Sequence, residues 1–241
     1  MEISIVVPAY NEESHIATTL TSLIEHTKGK YKEIIVVDNA SSDKTGEIAN
    51  SFEGVTVIHE NKKGTGHARQ TGFEHAKGEI VVFVDSDVMT PAGWIEKIID
   101  CFEKNPSVVL LSGAYRYYES THYPLWLLNM IWWVTPPVYW MVGYMANAGN
   151  CAVRAQALKS VGGWDRGLAF YGDDTDLARR LHAVGKTVWS LRFYNYSSGR
   201  RYDEFGIVKT CFNYMLSYWW PVLFHRPYNN DHQFVKSQKG E

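Results

Sequence analysis

Four short apolar runs, Ile3 to Val7, Glu33 to Asp38, Val55 to His59 and Glu79 to Asp85, alternate with stretches of helical period. Uninterrupted apolar runs of this length fit strands buried on both faces, which is the habit of parallel sheets covered by helices. Between the first two, Ile16, Leu20, Leu23 and Ile24 recur at helical spacing, with Glu12 and Glu13 placed to favour the helix start. A short helix is expected after the turn-rich Asn39 to Thr45, another over Gly66 to Ala76, and another through Phe102, capped at Thr90-Pro91. Val108 to Ser112 and Lys186 to Leu191 read as further strands, Arg154 to Val161 and Asp173 to Val184 as further helices. Strand, helix and strand at such intervals need right-handed crossovers, so the expected architecture is a Rossmann-like, mostly parallel α/β sheet flanked by helices.

The 241 residues suffice for one large domain, expected over 1–228 with a polar tail at 229–241. A net charge of −2 lacks the basic footprint that nucleic acid requires, so no nucleic-acid partner is expected. Cys101, Cys151 and Cys211 lie far apart without metal-ligand spacing, which fits reduced thiols in a cytoplasmic setting. No basic region or cleavage site precedes Ile3, so no signal peptide is expected.

Asp85-Ser86-Asp87 closes the fourth apolar run. In open α/β sheets the carboxyl edge of the strands is where ligands bind. Side chains at i and i+2 of an extended segment point the same way, and paired carboxylates suit hard ions such as Mg2+ or Mn2+. An acidic turn capping the next helix explains the same residues without a ligand. Val6 to Glu13 makes a tight strand-to-helix corner that either grips a ligand or simply turns the chain. Asp38 ends the neighbouring strand and can accept from a base or ribose, while Ser41, Ser42 and Asp43 are ordinary capping residues. Asp173, Asp174 and Asp176 open a helix and favour its dipole, with Asp176 expected to cap or to pair with Arg179 or Arg180. Gly64 to Arg69 superficially echoes a dinucleotide-binding loop, but Arg69 takes the third glycine's place and the loop follows the third strand, which excludes it.

Taken in order, Pro8 to Glu13, Val37-Asp38 with Ser42 to Thr45, Gly66 to Arg69 with Gly72, Asp85 to Asp87, Gly149-Asn150, Gly162 to Asp165 and Gly172 to Leu177 resemble family 2 glycosyltransferases of the GT-A fold. The resemblance covers residues 3 to 192. It implies Pro8, Tyr10 and Glu12 against the nucleoside, Asp38 accepting from the base, and Arg69 with Lys62 or Lys63 near the nucleotide. It further implies Asp85 at the ribose or a metal-bound water, with Asp87, joined by Asp85, holding Mn2+ or Mg2+ against the diphosphate. Ser86, Asn150 and Asp173 follow as substrate-binding positions, and Asp174 as the catalytic base. Two departures stand out. Asp173 replaces the family's usual Glu, and the Gln-x-x-Arg-Trp element of processive members is missing around Gly199 to Tyr202, which argues for transfer of a single sugar. Arg200 and Arg201 either clamp the diphosphate or form a solvated basic corner. No third protein ligand for the metal is assigned: His182 reads as structural, and His225 qualifies only if the tail folds back.

The implied chemistry is physically coherent. A departing diphosphate gains negative charge that a cation can stabilise, and a carboxylate with an ordinary pKa of about 3.9 can take the acceptor's proton as the hydroxyl acidifies. A single displacement inverts the anomeric centre. The resemblance favours a UDP-sugar over a GDP-sugar and leaves the acceptor open. A sugar-phosphate nucleotidyltransferase would carry a glycine-rich loop where Pro8 to Asn11 stands, and a non-catalytic nucleotide-sugar-binding module would not need Asp85, Asp87 and Asp174 intact.

From Ser120 to Val153 no Asp, Glu, Lys or Arg occurs, and this stretch holds four of the chain's nine Trp. A single membrane crossing would put Asp87 and Asp174 on opposite sides, and Pro136-Pro137 would break a spanning helix. The aromatic-rich insert, about 120–146, and a second aromatic segment, about 205–225, therefore read in two ways. Either they lie in a membrane interface at the inner face and meet a lipid-linked acceptor, or they form packed core or a dimer surface.

Overall fold

The computed structural model describes residues 1–167 and 172–224. The expected polar tail and His225 lie outside the described residues. In chain order the elements are β1 (Ile3–Ala9), α1 (Ile16–Thr27), β2 (Glu33–Asp38), α2 (Thr45–Asn50), β3 (Val55–His59), α3 (Thr65–His75), β4 (Ile80–Val84), β5 (Val88–Met89) and α4 (Trp94–Lys104). There follow β6 (Val108–Glu119), α5 (Leu125–Met130), a 3-10 turn (Ile131–Val134), α6 (Thr135–Val142), β7 (Asn150–Arg154), α7 (Ala155–Ser160), α8 (Asp173–His182), β8 (Lys186–Ser198), α9 (Arg200–Phe205) and α10 (Ile207–Phe224).

The strands form one eight-stranded sheet in the order β3-β2-β1-β4-β7-β6-β8-β5. The β1–β2, β2–β3, β1–β4 and β6–β8 pairs are parallel, as expected. β7 is antiparallel to both its neighbours and β5 to β8, so the sheet is mixed. Alternation along the strands divides two cores. Ile3, Ile5, Ile34, Val36, Ile80 and Val82 meet α1 and α4 through Leu20, Leu23, Ile95 and Ile98. Val6, Ile35, Val37, Val81 and Phe83 meet α3, α7 and α8 through Ala68, Leu158, Leu177 and Leu181. Burial on both faces explains the unbroken apolar runs, each such side chain contributing about 1.5–3 kcal/mol.

Several boundaries differ from the sequence reading, each for a local reason. β1 continues through Pro8 because its pairing with β4 ends at Val6, so the missing proline N–H leaves no ladder bond unmade on that side. Glu12 and Glu13 sit in the turn ahead of α1, not in its first turn. Thr90 does not cap α4: its N–H donates to Ser22 Oγ and its carbonyl meets His26, so it is pinned to α1 and the helix begins at Trp94. β6 and β8 run well beyond the expected Ser112 and Leu191. Pro136 and Pro137 fall in the first turn of α6, where a missing N–H costs nothing, and the break comes in the 3-10 turn before them. Among the described residues no helix is long and apolar enough to cross a membrane.

Candidate active site

A cavity of about 1470 Å3 opens along the carboxyl ends of β1 and β4. Pro8, Ala9, Tyr10, Glu12, Asn39, Lys63, Arg69, Asp85, Ser86 and Asp87 line one wall. Gly172, Asp173 and Asp174 bring the start of α8 to it, and Arg200 and Arg201 the start of α9. The remaining wall comes from Trp132, Val138, Trp189, Tyr214, Tyr218 and neighbours, supplied by the aromatic segments and β8.

Arg69 is the centre of the strand-end wall. Its Nη1 donates to Asp173 Oδ2 at 2.6 Å and its Nη2 to Asp85 Oδ1 at 3.1 Å. The Tyr115 hydroxyl donates to Asp85 Oδ2 at 2.7 Å. A Cβ at position 149 would collide with both Asp85 Oδ2 and that hydroxyl, so Gly149 is what lets the pair close. Burial opposes the Arg69 charge, but Asp173 and Asp85 outweigh it and hold the guanidinium firmly protonated. Both oxygens of Asp85, expected to join Asp87 at the metal, are engaged by Arg69 and Tyr115.

Asp87 faces a different cation. Arg200 Nη2 donates to Asp87 Oδ2 at 2.8 Å and to Glu12 Oε1 at 3.2 Å, and the His15 ring lies 2.9 Å from Glu12 Oε2. Burial, followed by repulsion from Asp87, raises the Glu12 carboxyl above its ordinary range. Arg200 is thus ion-paired with Asp87 and Glu12 at the cavity edge. Arg201 Nη1 donates to the Tyr214 hydroxyl at 2.8 Å. Lys63 Nζ, not Lys62, reaches the cavity and donates to Tyr10 Oη at 2.8 Å. Among the described residues, no group of three or more His, Cys, Asp or Glu is gathered as a metal cage.

Asp174 stands at the start of α8, whose N-cap Gly172 has φ 88°, a left-handed turn that glycine adopts without strain. The Thr175 N–H donates to Asp174 Oδ1 at 2.7 Å, and Oδ2 has no hydrogen-bond partner among the described residues. Burial first, then the neighbouring Asp173 carboxylate, push the Asp174 pKa up to about 7. Burial also raises Asp173, which is 5% exposed and paired with Arg69. Asp176 pairs with both Arg179 and Arg180, as expected. His182 lies against Tyr144 as a structural residue, their rings 5.6 Å apart.

Two expected substrate contacts are placed elsewhere. Asp38 accepts from the Ser41 N–H and lies 3.1 Å from the His59 ring, so its carboxylate serves the turn while Asn39 takes its place on the cavity wall. Asn150 is fully buried; its Oδ1 accepts from Trp94 Nε1 and its Nδ2 donates to the Ala114 and Phe193 carbonyls. That saturates the side chain, and Gly149 lines the cavity in its stead. His15, Asn39, Tyr115, Trp132, Trp189 and Tyr214 were not singled out by sequence. Of these only His15 carries a local signal, three residues after Glu12.

Comparison with known proteins follows the same frame. Residues 4–162 match the profile described as glycosyl transferase family 2. Glycosyltransferase GlyG of Streptococcus pneumoniae is 35% identical over 123 residues, which is 49% of this chain and 40% of that protein. The chain thus spans well under half of that relative's length. The mannosyltransferase PcManGT from Pyrobaculum calidifontis, in complex with GDP-Man and Mn2+, superposes with a TM-score of 0.70 at 18% identity, covering 98% of this chain and 68% of that one. S. aureus TarS 1-349 in complex with UDP-GlcNAc gives 0.66 at 20% identity, over 83% and 59% of the two chains.

Proposed function

Given that the chain belongs to glycosyl transferase family 2 and has the GT-A fold, we propose that it moves one sugar from a nucleotide-diphosphate sugar to an acceptor hydroxyl, inverting the anomeric centre. One observation carries this reading: Asp87 at a strand end and Asp174 at a helix start line the same cavity. PcManGT holds a GDP-sugar and TarS a UDP-sugar, which supports a nucleotide-sugar donor here and leaves the base open.

Asp87 offers a cavity-facing carboxylate, and together with Glu12 it already gathers a positive charge, the Arg200 guanidinium. Those carboxylate oxygens fit a hard divalent ion, which Asp87 would hold, and Arg200, now paired with Asp87 and Glu12, could then turn to phosphate oxygens. When bound, Mn2+ or Mg2+ would supply positive charge for the departing diphosphate. Lys63 and Arg201 add cationic groups on the same side. Tyr10 and Pro8 offer an apolar rest for the nucleoside, while the Asn39 amide beside them is spent on the Glu60 and Lys62 carbonyls and the Gly64 N–H. Arg69 holds Asp85 and Asp173 in fixed places, so the donor and base sides share one rigid brace.

Asp174 takes the acceptor's proton through Oδ2, which has no hydrogen-bond partner among the described residues. A pKa near 7 makes it a stronger base than an ordinary carboxylate yet leaves it ionised above neutrality. Asp174→Asn is expected to keep the thermal shift given by nucleoside diphosphates and to lower transfer by about 10²–10⁴-fold. Retained turnover would reject the assignment.

A further inference from the structure

The aromatic segments present two faces. Inward, Leu128, Trp132 and Val138 pack onto Tyr117, Trp189 and Tyr202. Outward, Trp126, Trp133 and Trp140 recur every seven residues along α5, the 3-10 turn and α6, and are 63%, 72% and 79% exposed. Met130 and Val134 are exposed between them and Met141 just after, and on α10 Val208, Phe212 and Met215 form a second exposed stripe at i, i+4 and i+7. Scattered exposed apolar residues are normal, but a run of large aromatic and aliphatic groups on adjacent helical segments marks an interaction site.

This face is continuous with the cavity. Val134 and Met215 are both outwardly exposed and both line the cavity, so its mouth opens through the apolar surface. A second copy of the chain seated there would seal that mouth. A bilayer would not: it presents an amphiphile to the entrance. The absence of charged residues from Ser120 to Val153 suits the boundary between headgroups and acyl chains, where Trp rings prefer to sit. Short helical pieces that cannot span lie naturally in that plane.

We propose that the face formed by Trp126, Trp133, Trp140 and Phe212 docks on a lipid bilayer, and that the acceptor is an amphiphile entering the cavity from that surface. The docking stands on the surface alone; the acceptor rests on the glycosyl-transfer reading above. Flotation with neutral phosphatidylcholine vesicles, and with vesicles containing phosphatidylglycerol, tests it. The protein should float with both, with only a modest dependence on salt, because the tryptophan-bearing segment carries no Asp, Glu, Lys or Arg and Lys209 is the exposed cation beside Phe212. A Trp126→Ser, Trp133→Ser, Trp140→Ser, Phe212→Ser variant should partition at least about tenfold more weakly. None of these four side chains lines the cavity, so thermal shifts with uridine or guanosine diphosphate and Mn2+ should be unchanged. Wild type that stays unbound on every vesicle, or a variant that floats like wild type, overturns the docking. So does a dimer by light scattering that the substitutions dissolve, because it would make the occupant a second copy. Flotation without any nucleotide-induced shift would uphold the docking and strike only the glycosyl-transfer reading.

Discussion

The two walls of the cavity are built by different physics. On the strand-end wall, Arg69 joins Asp85 to Asp173 and Arg200 joins Asp87 to Glu12, so the carboxylates there are held by guanidinium groups. On the helical wall the polar tips turn away into local bonds: Tyr139 donates to the Thr187 carbonyl, Trp189 to Thr135 Oγ1, and Trp132 stacks on Trp189 at 5.9 Å. The first wall can exchange an internal ion pair for a ligand's charge with little change in net burial of charge. The second is mainly ring faces and aliphatic groups, which exclude water and take an uncharged or apolar group, with the Trp132 ring N–H buried without a hydrogen-bond partner among the described residues. A cavity with one wall of each kind suits a reaction that expels an anion on one side and admits a neutral hydroxyl on the other.

The largest expected effect breaks the charged wall. Asp87→Asn removes the carboxylate that faces Arg200 and leaves Glu12 to hold it. kcat/KM for transfer should fall about 10²–10³-fold, the usual cost of losing one preorganised electrostatic group. Binding of nucleoside diphosphate should also lose its dependence on Mn2+, measured calorimetrically. Undiminished transfer would mean that the leaving group does not sit on this wall.

A smaller effect is expected from Asp173→Asn, which weakens the brace without touching Asp174. The amide oxygen can still accept from Arg69, so the stability loss should be about 1–3 kcal/mol in denaturant unfolding. The more telling readout is the pH profile. If Asp174 is the base, it works when ionised, so with its pKa raised to about 7 the wild-type rate should fall as pH drops through neutrality. Removing the neighbouring negative charge lowers that pKa and moves the acid limb to lower pH. An unmoved limb would reduce Asp173 to a structural partner of Arg69.

The same contrast explains what could be read from the chain itself. The strand-end wall was legible because each of its motifs is local: an apolar run, a turn and a carboxylate within a few residues report the edge of a sheet and the groups placed there. Asp85 and Asp87 are legible that way, whereas Arg69 and Asp174 follow from the resemblance to family 2 glycosyltransferases; all four line the cavity. What the local pattern could not show was which of them are already satisfied. Asp85 is closed off by Tyr115, a residue of the long half of β6, and Asn150 is spent on Trp94 and two carbonyls, contacts made across 30 or more residues. β7 escaped notice because Asn150–Arg154 is a short run at the end of an aromatic stretch that obscures its boundary. The helical wall was illegible as a site for a related reason. Its residues act together only after β6, β8 and α10 pack, and composition alone left membrane, partner and core as equal alternatives.

The smallest expected effect lies where the walls meet. Arg201 belongs to α9, yet the group that aims it is Tyr214 of the aromatic helix α10, through a 2.8 Å hydrogen bond and a ring face 6.0 Å from the guanidinium carbon. Tyr214→Phe removes the bond and keeps the ring, so the fold should lose no more than about 1 kcal/mol. If Arg201 binds the donor's phosphates, loss of this one bond leaves its guanidinium less well placed for them. KM for the donor should then rise several-fold with kcat unchanged, the signature of an interaction made equally in ground and transition states. A change in kcat alone would place Arg201 at the transition state and make the aromatic helix a part of the charged wall. No change in either constant would confine α10 to the acceptor side and leave the two walls chemically independent.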